Sequence, residues 1–216
     1  MGGSNGLGSW GYIQGVDELM QQWKSIRGEP SLDHVVFATG SGGTAAGIVL
    51  GLALAYGAEN GEATNMPTIH AIGVCDEPDY FYNHVADIAI EMGLKVPSGY
   101  VDAHDFVRRH LTVHQGKGLG YAASTPDELE FVTNFSMDTG IVLDPVYSGK
   151  ALYHFLTEVV ENDPDTFRDR NILFWHTGGA LGMYDKGDAL LPTLDKVSPV
   201  KRLDVYGKGG EDMTPV

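Results

Sequence analysis

The feature that most constrains this chain is a loop rich in glycine and hydroxyl groups, placed between a predicted strand and a predicted helix. His34–Ala38 is a short apolar run typical of a buried strand, and the stretch from Ala45 to about Tyr56 is apolar and helical in character. Between them stands Thr39-Gly40-Ser41-Gly42-Gly43-Thr44. Glycines expose consecutive backbone amides, the hydroxyls add donors, and a helix N-terminus adds partial positive charge. The sequence therefore predicts a phosphate-binding loop; a tight turn without a ligand is the alternative.

The kind of phosphate is less strongly specified. Residues 40–45 match the dinucleotide pattern G-x-G-x-x-A, but Asp76, the next acidic residue at a strand end, comes later than the usual spacing of about 20 residues. A P-loop is excluded because no Gly-Lys-Ser/Thr follows. A loop dense in glycine and hydroxyls suits a terminal monoester phosphate, which offers three oxygens. A nicotinamide-binding Rossmann domain stays open as an alternative.

A strand, a loop and a helix follow one another four times, which predicts an α/β fold with an open, mostly parallel sheet. Ligands of such sheets bind beyond the carboxyl ends of the strands. We therefore expect the loops after Ala38, Leu143 and Trp175 to converge on one crevice. The predicted strands are 34–38, 68–75, 141–143 and 171–175; the predicted helices are 12–23 (ended by 27–30), 45–56, 79–94, 126–140 and 148–160, whereas 101–113 fits either state. We expect one domain over 1–195 and a polar tail over 196–216.

Composition excludes several classes of function. The net charge of -15, without a basic cluster, disfavours nucleic-acid binding. The longest apolar run, Ile48–Tyr56, is far too short for a membrane span. Cys75 is the only cysteine, so an internal disulfide is excluded and a reducing compartment is favoured. We expect an intracellular protein, cytoplasmic or mitochondrial.

Several ordered blocks resemble one known family, the D-cysteine desulfhydrases and 1-aminocyclopropane-1-carboxylate deaminases, which are pyridoxal-phosphate (PLP) enzymes of fold type II. The blocks are Gly2–Gly8 with Gly11-Tyr12, Thr39–Gly47, Gly118–Tyr121, Leu143–Lys150 and Phe174–Gly179. Val74–Tyr82 and Gly182–Lys186 are most similar to the plant-type desulfhydrases. The resemblance implies the three-layer large domain of that fold, which is like the tryptophan synthase β-chain.

The resemblance also implies roles for individual residues. Residues 39–44 (Thr39, Gly40, Ser41, Gly42, Gly43 and Thr44) would hold the PLP phosphate. Tyr147 would lie against cofactor and substrate with its phenol placed for proton transfer, and Tyr121 would add a second hydroxyl on the substrate side. A phenol with an ordinary pKa of about 10 needs a cationic or hydrogen-bonding environment to act as a base. Ser148 and Thr177 would also contact the cofactor; the family's deaminases have glutamate and leucine there.

The implied reaction is an α,β-elimination that converts D-cysteine to hydrogen sulfide, pyruvate and ammonia. A neutral Ser148 fits this reaction better than cyclopropane opening, because a thiolate leaving group demands a weaker electron sink. Deaminase activity and a non-catalytic PLP-binding module are the alternatives. We expect a small amino acid as substrate, and as partner a second copy of the chain or the missing lobe.

In the resembled family the Schiff-base lysine lies N-terminal to the block that here starts at Gly2. The resemblance therefore predicts a chain without the N-terminal lobe and without that lysine, so that PLP is held non-covalently at best. Lys150 and Lys117 are poor substitutes; Lys150 reads as a surface or structural lysine. His110 and His114 have the spacing of two helical zinc ligands, but no third ligand is evident, and we expect no metal. His176 is expected to be a structural hydrogen-bonding residue.

Overall fold

A computed structural model describes residues 4–26, 28, 30–57 and 65–197. Its regular elements follow in chain order: α1 (Gly6–Lys24), β1 (His34–Thr39), α2 (Gly43–Ala55), β2 (Thr68–Gly73), α3 (Pro78–Glu91), α4 (Ala103–His110), β3 (Thr112–Gln115), α5 (Pro126–Thr139), α6 (Ser148–His154) with a π-helical continuation (Phe155–Val160), α7 (Pro164–Phe167), β4 (Ile172–Phe174), a 3₁₀-helix (Ala180–Lys186) and α8 (Gly187–Val197).

The four strands form one parallel sheet in the order β3-β2-β1-β4. Thr39 pairs with Gly73, which in turn pairs with Gln115, so three strands end at the same level. The Trp175 amide donates to the Val36 carbonyl at 2.7 Å and extends the β4 pairing by one step. The loops that follow the strands therefore emerge along one edge of the sheet, as predicted.

Helices cover both faces of the sheet, because alternate residues of a strand point to opposite sides. Val35 and Phe37 of β1 are fully buried on the face covered by α1, α2, α3 and α4. Val36 is fully buried on the other face, against Ala151 of α6 and Phe155 of its π-helical continuation. The predicted three-layer α/β architecture is confirmed.

Two interpretations of the sequence need correction or completion. Residues 141–143 were predicted as a strand, but they pair with no strand of the described sheet. The fourth strand of the sheet is β3, which begins at the end of the undecided stretch 101–113 and continues to Gln115. The rest of that stretch contains α4. Gly2, Gly3, Arg27, Glu29 and residues 198–216 of the predicted tail lie outside the described residues, and α8 extends to Val197.

Three histidines link three neighbouring strands on the α6 face of the sheet. His34 Nδ1 lies 3.0 Å from His70 Nε2, and His70 Nδ1 lies 2.9 Å from His114 Nε2. Burial lowers the pKa of all three rings, and that of His70 falls to about 3 because the neighbouring rings add repulsion to its burial. This histidine row is therefore neutral in the folded protein at neutral pH.

Among the described helices, none combines the length and the apolar character that a membrane crossing requires.

Candidate functional site

Three loops meet at the carboxyl edge of the sheet and enclose a crevice of about 210 Å³. Its lining comes from the loop after β1, from the loop before α6 and from the loop after β4: Ala38, Thr39, Gly40, Ser41, Gly42, Thr44, Tyr147 and Thr177. The predicted convergence of the three loops is confirmed. Of the ten predicted site residues, seven line this crevice, while Gly43, Tyr121 and Ser148 do not.

The loop after β1 has the form of an anion cradle. Gly42 precedes α2 with a φ of 83°, a left-handed conformation that favours glycine. The first amides of α2 have no intrahelical acceptor and lie at the positive end of its dipole. The Thr39 hydroxyl is buried, with no hydrogen-bond partner among the described residues. Donors are thus in place around the crevice for an anionic group.

Two contacts shape this cradle, and one of them involves Cys75, a residue outside the predicted set. The Cys75 thiol donates to the Gly40 carbonyl at 2.9 Å and ties the end of β2 to the cradle. Gly40 itself approaches the Tyr147 ring so closely that a Cβ there would lie 2.7 Å from Cε1. A side chain at position 40 would therefore displace the Tyr147 ring. The contact joins residues far apart in the chain, so the sequence carried no signal for it.

A single carboxylate organises the loop before α6. Asp144 is 2% exposed and accepts four hydrogen bonds. Oδ1 takes the amides of Val146 and Tyr147 at 2.9 and 2.7 Å, and Oδ2 takes the amide and the hydroxyl of Ser148 at 2.8 and 2.7 Å. The Asp144 carboxylate thereby fixes the backbone from which Tyr147 projects. The Asp-Pro pair at 144–145 is a turn signal that could have indicated this role.

The two predicted catalytic tyrosines lie together. Their hydroxyl oxygens are 2.9 Å apart and their rings meet edge to face. Burial, the hydrogen bond to Tyr121 and repulsion from neighbouring acidic groups, Asp144 among them, raise the pKa of Tyr147 to about 12. A cation beside the phenol would be needed to turn Tyr147 into a base, and none of these influences comes from a cation. Burial and the neighbouring acidic groups both favour the protonated phenol.

The loop after β4 is held by His176. Its Nε2–H donates to the Val142 carbonyl at 2.9 Å, and its Nδ1 accepts from the Gly178 amide at 2.9 Å. One ring nitrogen donates and the other accepts, which fixes one neutral tautomer. His176 is thus the structural hydrogen-bonding residue that we predicted, and it places Thr177 at the crevice.

Ser148 does not line the crevice. It is the first residue of α6, preceded by Tyr147 as the N-cap, and its buried hydroxyl donates to Asp144 and accepts from the Asp144 amide at 2.9 Å. The hydroxyl is engaged away from the crevice. Its contact with a cofactor stays a prediction.

Three lysines lie in or contact the loop that connects β3 to α5, and each has a partner. Lys150 is fully buried and donates to three backbone carbonyls, so it is structural and not on the surface. Lys117 pairs with Glu77 at 2.7 Å, and this carboxylate raises the pKa of the lysine. Lys186 donates to the Ala122 carbonyl.

The two histidines with zinc-like spacing do not converge. His110 ends α4 and lies 2.6 Å from the Tyr100 hydroxyl, whereas His114 belongs to the histidine row. Within the described ranges no group of three or more histidine, cysteine or acidic side chains is arranged to hold a metal ion.

Comparison with known proteins adds a family to this geometry. Residues 2–178 match the family model described as "Pyridoxal-phosphate dependent enzyme". The chain is 43% identical over 214 residues to a protein of Arabidopsis thaliana named "Bifunctional D-cysteine desulfhydrase/1-aminocyclopropane-1-carboxylate deaminase, mitochondrial", covering 96% of this chain and 49% of the relative. A relative from Thermotoga maritima, whose name also refers to 1-aminocyclopropane-1-carboxylate deaminase, is 32% identical over 88% of this chain and 54% of its own length.

A solved structure is similar as well. The crystal structure of a protein described as an "ACC deaminase homologue" superposes with a TM-score of 0.64 at 28% identity, covering 88% of this chain and 51% of that one. The chain spans about half the length of the curated relatives it matches.

Proposed function

Because the chain belongs to the pyridoxal-phosphate dependent enzymes, and within them to the D-cysteine desulfhydrase and 1-aminocyclopropane-1-carboxylate deaminase group, we propose that its crevice holds PLP for an α,β-elimination. The observation that carries the proposal is the convergence of the glycine cradle, Tyr147 and Thr177 on one crevice. In this proposal the cofactor phosphate occupies the cradle.

The residues of the crevice fit a phosphate monoester. Thr39 lines the crevice with its neighbours, although its own hydroxyl oxygen is buried without a partner within the described chain. The hydroxyls of Ser41 and Thr44 border the same space, where the N-terminus of α2 favours negative charge. Thr39–Thr44 would therefore hold the phosphate, with Tyr147 and Thr177 beside the ring.

PLP, when bound, withdraws electrons from the α-carbon of an amino acid. The chain's own contribution is a pair of phenols at the mouth of the crevice. A phenol with a pKa of about 12 keeps its proton at neutral pH, so Tyr147 acts as a hydrogen-bond donor and not as the resting base. Its bond with Tyr121 lets a proton held on one oxygen pass to the other.

D-Cysteine is the substrate that we propose. The plant relative's name includes a D-cysteine desulfhydrase activity, and Ser148 places no carboxylate directly after Tyr147. A site without that acid suits a substrate with a good leaving group on its β-carbon. The same relative's name also includes the deaminase activity, which is the second candidate.

We further propose that no lysine of the crevice loops forms a Schiff base. The ammonium of Lys150 is used in three hydrogen bonds, and Lys117 is held in its charged form by Glu77. A charged, hydrogen-bonded amine is a poor nucleophile. PLP would then be held without a covalent bond.

We propose a second copy of the chain as the partner, because large apolar side chains are exposed around the start of α1 and the ends of α2 and α3. Trp10 and Leu54, each 51% exposed, border one groove together with Ile13 and Met92, and Ile90 on α3 is 53% exposed. Clusters of this kind commonly mark protein contacts. For location we propose the cytoplasm or, as the plant relative's name states for that protein, the mitochondrion.

The proposed function is tested by ligand binding to the purified chain. Equilibrium dialysis should show PLP bound at least about tenfold more tightly than pyridoxal, because only PLP carries the phosphate. Reduction with borohydride followed by peptide mapping should leave Lys117 and Lys150 unmodified. NADH that binds in the crevice and is not displaced by PLP would refute the PLP assignment. Two activity assays then compare the substrate classes. One measures the sulfide released from D-cysteine, with L-cysteine as the control, and the other measures the ammonia released from 1-aminocyclopropane-1-carboxylate.

A further inference from the structure

The ammonium group of Lys150 lies inside the protein, surrounded by backbone oxygens. Lys150 is 0% exposed. Its Nζ donates to the carbonyls of Lys117, Gly120 and Ala123 at 2.8, 2.9 and 2.6 Å. All three acceptors belong to the single loop that connects β3 to α5, so one side chain holds three points of that loop.

The number of acceptors indicates the charge of the group. An ammonium has three N–H donors and a neutral amine has two, so three carbonyls at hydrogen-bond distance require the protonated form. Glu128 supplies the opposite charge: its Oε1 lies 3.9 Å from the Lys150 Nζ and 2.9 Å from the His154 Nε2. Burial lowers the pKa of Lys150 while Glu128 opposes that shift, in keeping with a paired buried cation.

The loop is shaped around this cation. Gly118 and Gly120 have φ values of 53° and 121°, and Ala122 adopts a φ of 56°, which is costly for a residue with a side chain. These left-handed residues alternate along the loop, and the carbonyls of Gly120 and Ala123 both face the ammonium. Without the ammonium group, these three inward-facing carbonyls would lose the donor that they share.

Tyr121 projects from the centre of this loop. It is 58% exposed, so its own packing does little to fix it, yet its hydroxyl meets that of Tyr147 at 2.9 Å. The carbonyls of its sequence neighbours Gly120 and Ala122 accept hydrogen bonds from the Lys150 and Lys186 ammonium groups, respectively. The position of the Tyr121 hydroxyl therefore depends on lysines on other elements.

We propose that Lys150 is a positioning residue: its buried ammonium is the internal cation around which residues 117–123 fold, and it thereby holds Tyr121 against Tyr147. The functional importance of this contact rests on the proposed function, in which the two phenols face the substrate. The positioning itself does not need a cofactor, so it is tested on the chain alone.

The experiment follows the Tyr147 phenol by NMR in the chain labelled with ¹³Cζ-tyrosine, without PLP. Tyr121→Phe gives the reference shift of the Tyr147 resonance when its partner is lost. Lys150→Met keeps the volume of the stem and removes the donors, and we expect it to reproduce that shift. Exchange of the Gly120 and Ala123 amides, which bond within the loop at 2.9 and 3.2 Å, should accelerate by about tenfold or more.

A matched control and a rescue separate positioning from general damage. Lys117→Ala removes a cation of the same loop whose partner is the outward Glu77, and it should leave the Tyr147 resonance unchanged. In Lys150→Ala, added propylammonium should restore the resonance, and propanol at the same concentration should not. An unchanged Tyr147 resonance in a folded Lys150→Met chain, or rescue by propanol, would overturn the proposal.

The wild-type chain provides the test if the variants do not fold. In a chain labelled with ¹⁵Nζ-lysine, the Lys150 ammonium protons should be protected from exchange, whereas those of Lys117 exchange quickly. Equal, rapid exchange of both would overturn the proposal. These measurements use no cofactor. A failure of PLP binding would therefore refute the proposed function and leave the role of Lys150 standing. An unchanged Tyr147 resonance in Lys150→Met would refute the role of Lys150 and leave the proposed function standing.

Discussion

Replacement of Asp144 by asparagine perturbs the loop that carries Tyr147 with almost no change in volume. The aspartate accepts four hydrogen bonds on two oxygens, and the asparagine keeps one oxygen. The amides of Val146 and Tyr147 can still be satisfied. The Ser148 amide then faces an NH₂ group and, being a donor itself, loses its acceptor in a buried place.

The size of the effect follows from these bonds. A buried N–H without a partner costs about 1–3 kcal/mol, and the two remaining bonds each weaken by roughly 1 kcal/mol when the acceptor loses its charge. Relief from burying a charge offsets part of this cost. We expect Asp144→Asn to lower the free energy of unfolding by about 3 kcal/mol.

Urea denaturation followed by circular dichroism measures this change, with Asp138→Asn as the matched control. Asp138 is exposed near the end of α5, so its replacement should change the stability by no more than about 0.5 kcal/mol. Amide spectra should show the Asp144→Asn change concentrated at 145–149. If the two variants lose the same small amount of stability, the four bonds to Asp144 do not hold the loop, and the reasoning is wrong.

Two further perturbations concern stability. The pKa of His70 is lowered to about 3, so below pH 6.5 the unfolded chain binds a proton that the folded chain excludes. The contribution of His70 to the free energy of unfolding should therefore fall by about 2–3 kcal/mol between pH 7.5 and 4.5 in urea titrations. His70→Gln should remove much of this slope, and a flat wild-type profile would contradict the burial argument. Gly149→Ala places a Cβ against Val132 and 2.6 Å from the Asp144 carbonyl oxygen, and should cost about 1–3 kcal/mol in thermal melts. Gly11→Ala, a helical position with nothing within 4 Å of the added Cβ, should instead stabilise by about 0.5–1 kcal/mol, and an equal loss in both would count against the packing described.

The parts of the fold that were predictable depend on local patterns. The β1 strand and the start of α2 follow from a β-branched run next to glycines, and α5 follows from Thr125, whose side chain and Glu128 form a capping box. The β3 strand stayed undecided between strand and helix because Thr112, His114 and Gln115 are polar. The buried contact that accommodates His114 is made by His70, 44 residues earlier.

The wrong strand at 141–143 shows the converse. Its residues are apolar, yet Ile141 is 50% exposed and Val142 is 41% exposed; only Leu143 is buried, against α5 and α6. Apolar character alone does not supply a neighbouring strand. Lys150 is similar: its burial depends on carbonyls 27 to 33 residues away, which no local pattern reveals.

The central claim, that PLP binds through its phosphate at Thr39–Thr44, is tested most directly by amide NMR of the chain titrated with PLP. We expect the largest shifts at Gly40–Ala45 and Thr177. Ser41→Asp, which puts a negative charge at the exposed edge of the cradle, should abolish these shifts through repulsion, while the neutral Ser41→Asn should retain them. Shifts that fall elsewhere, or that survive Ser41→Asp unchanged, would contradict the claim.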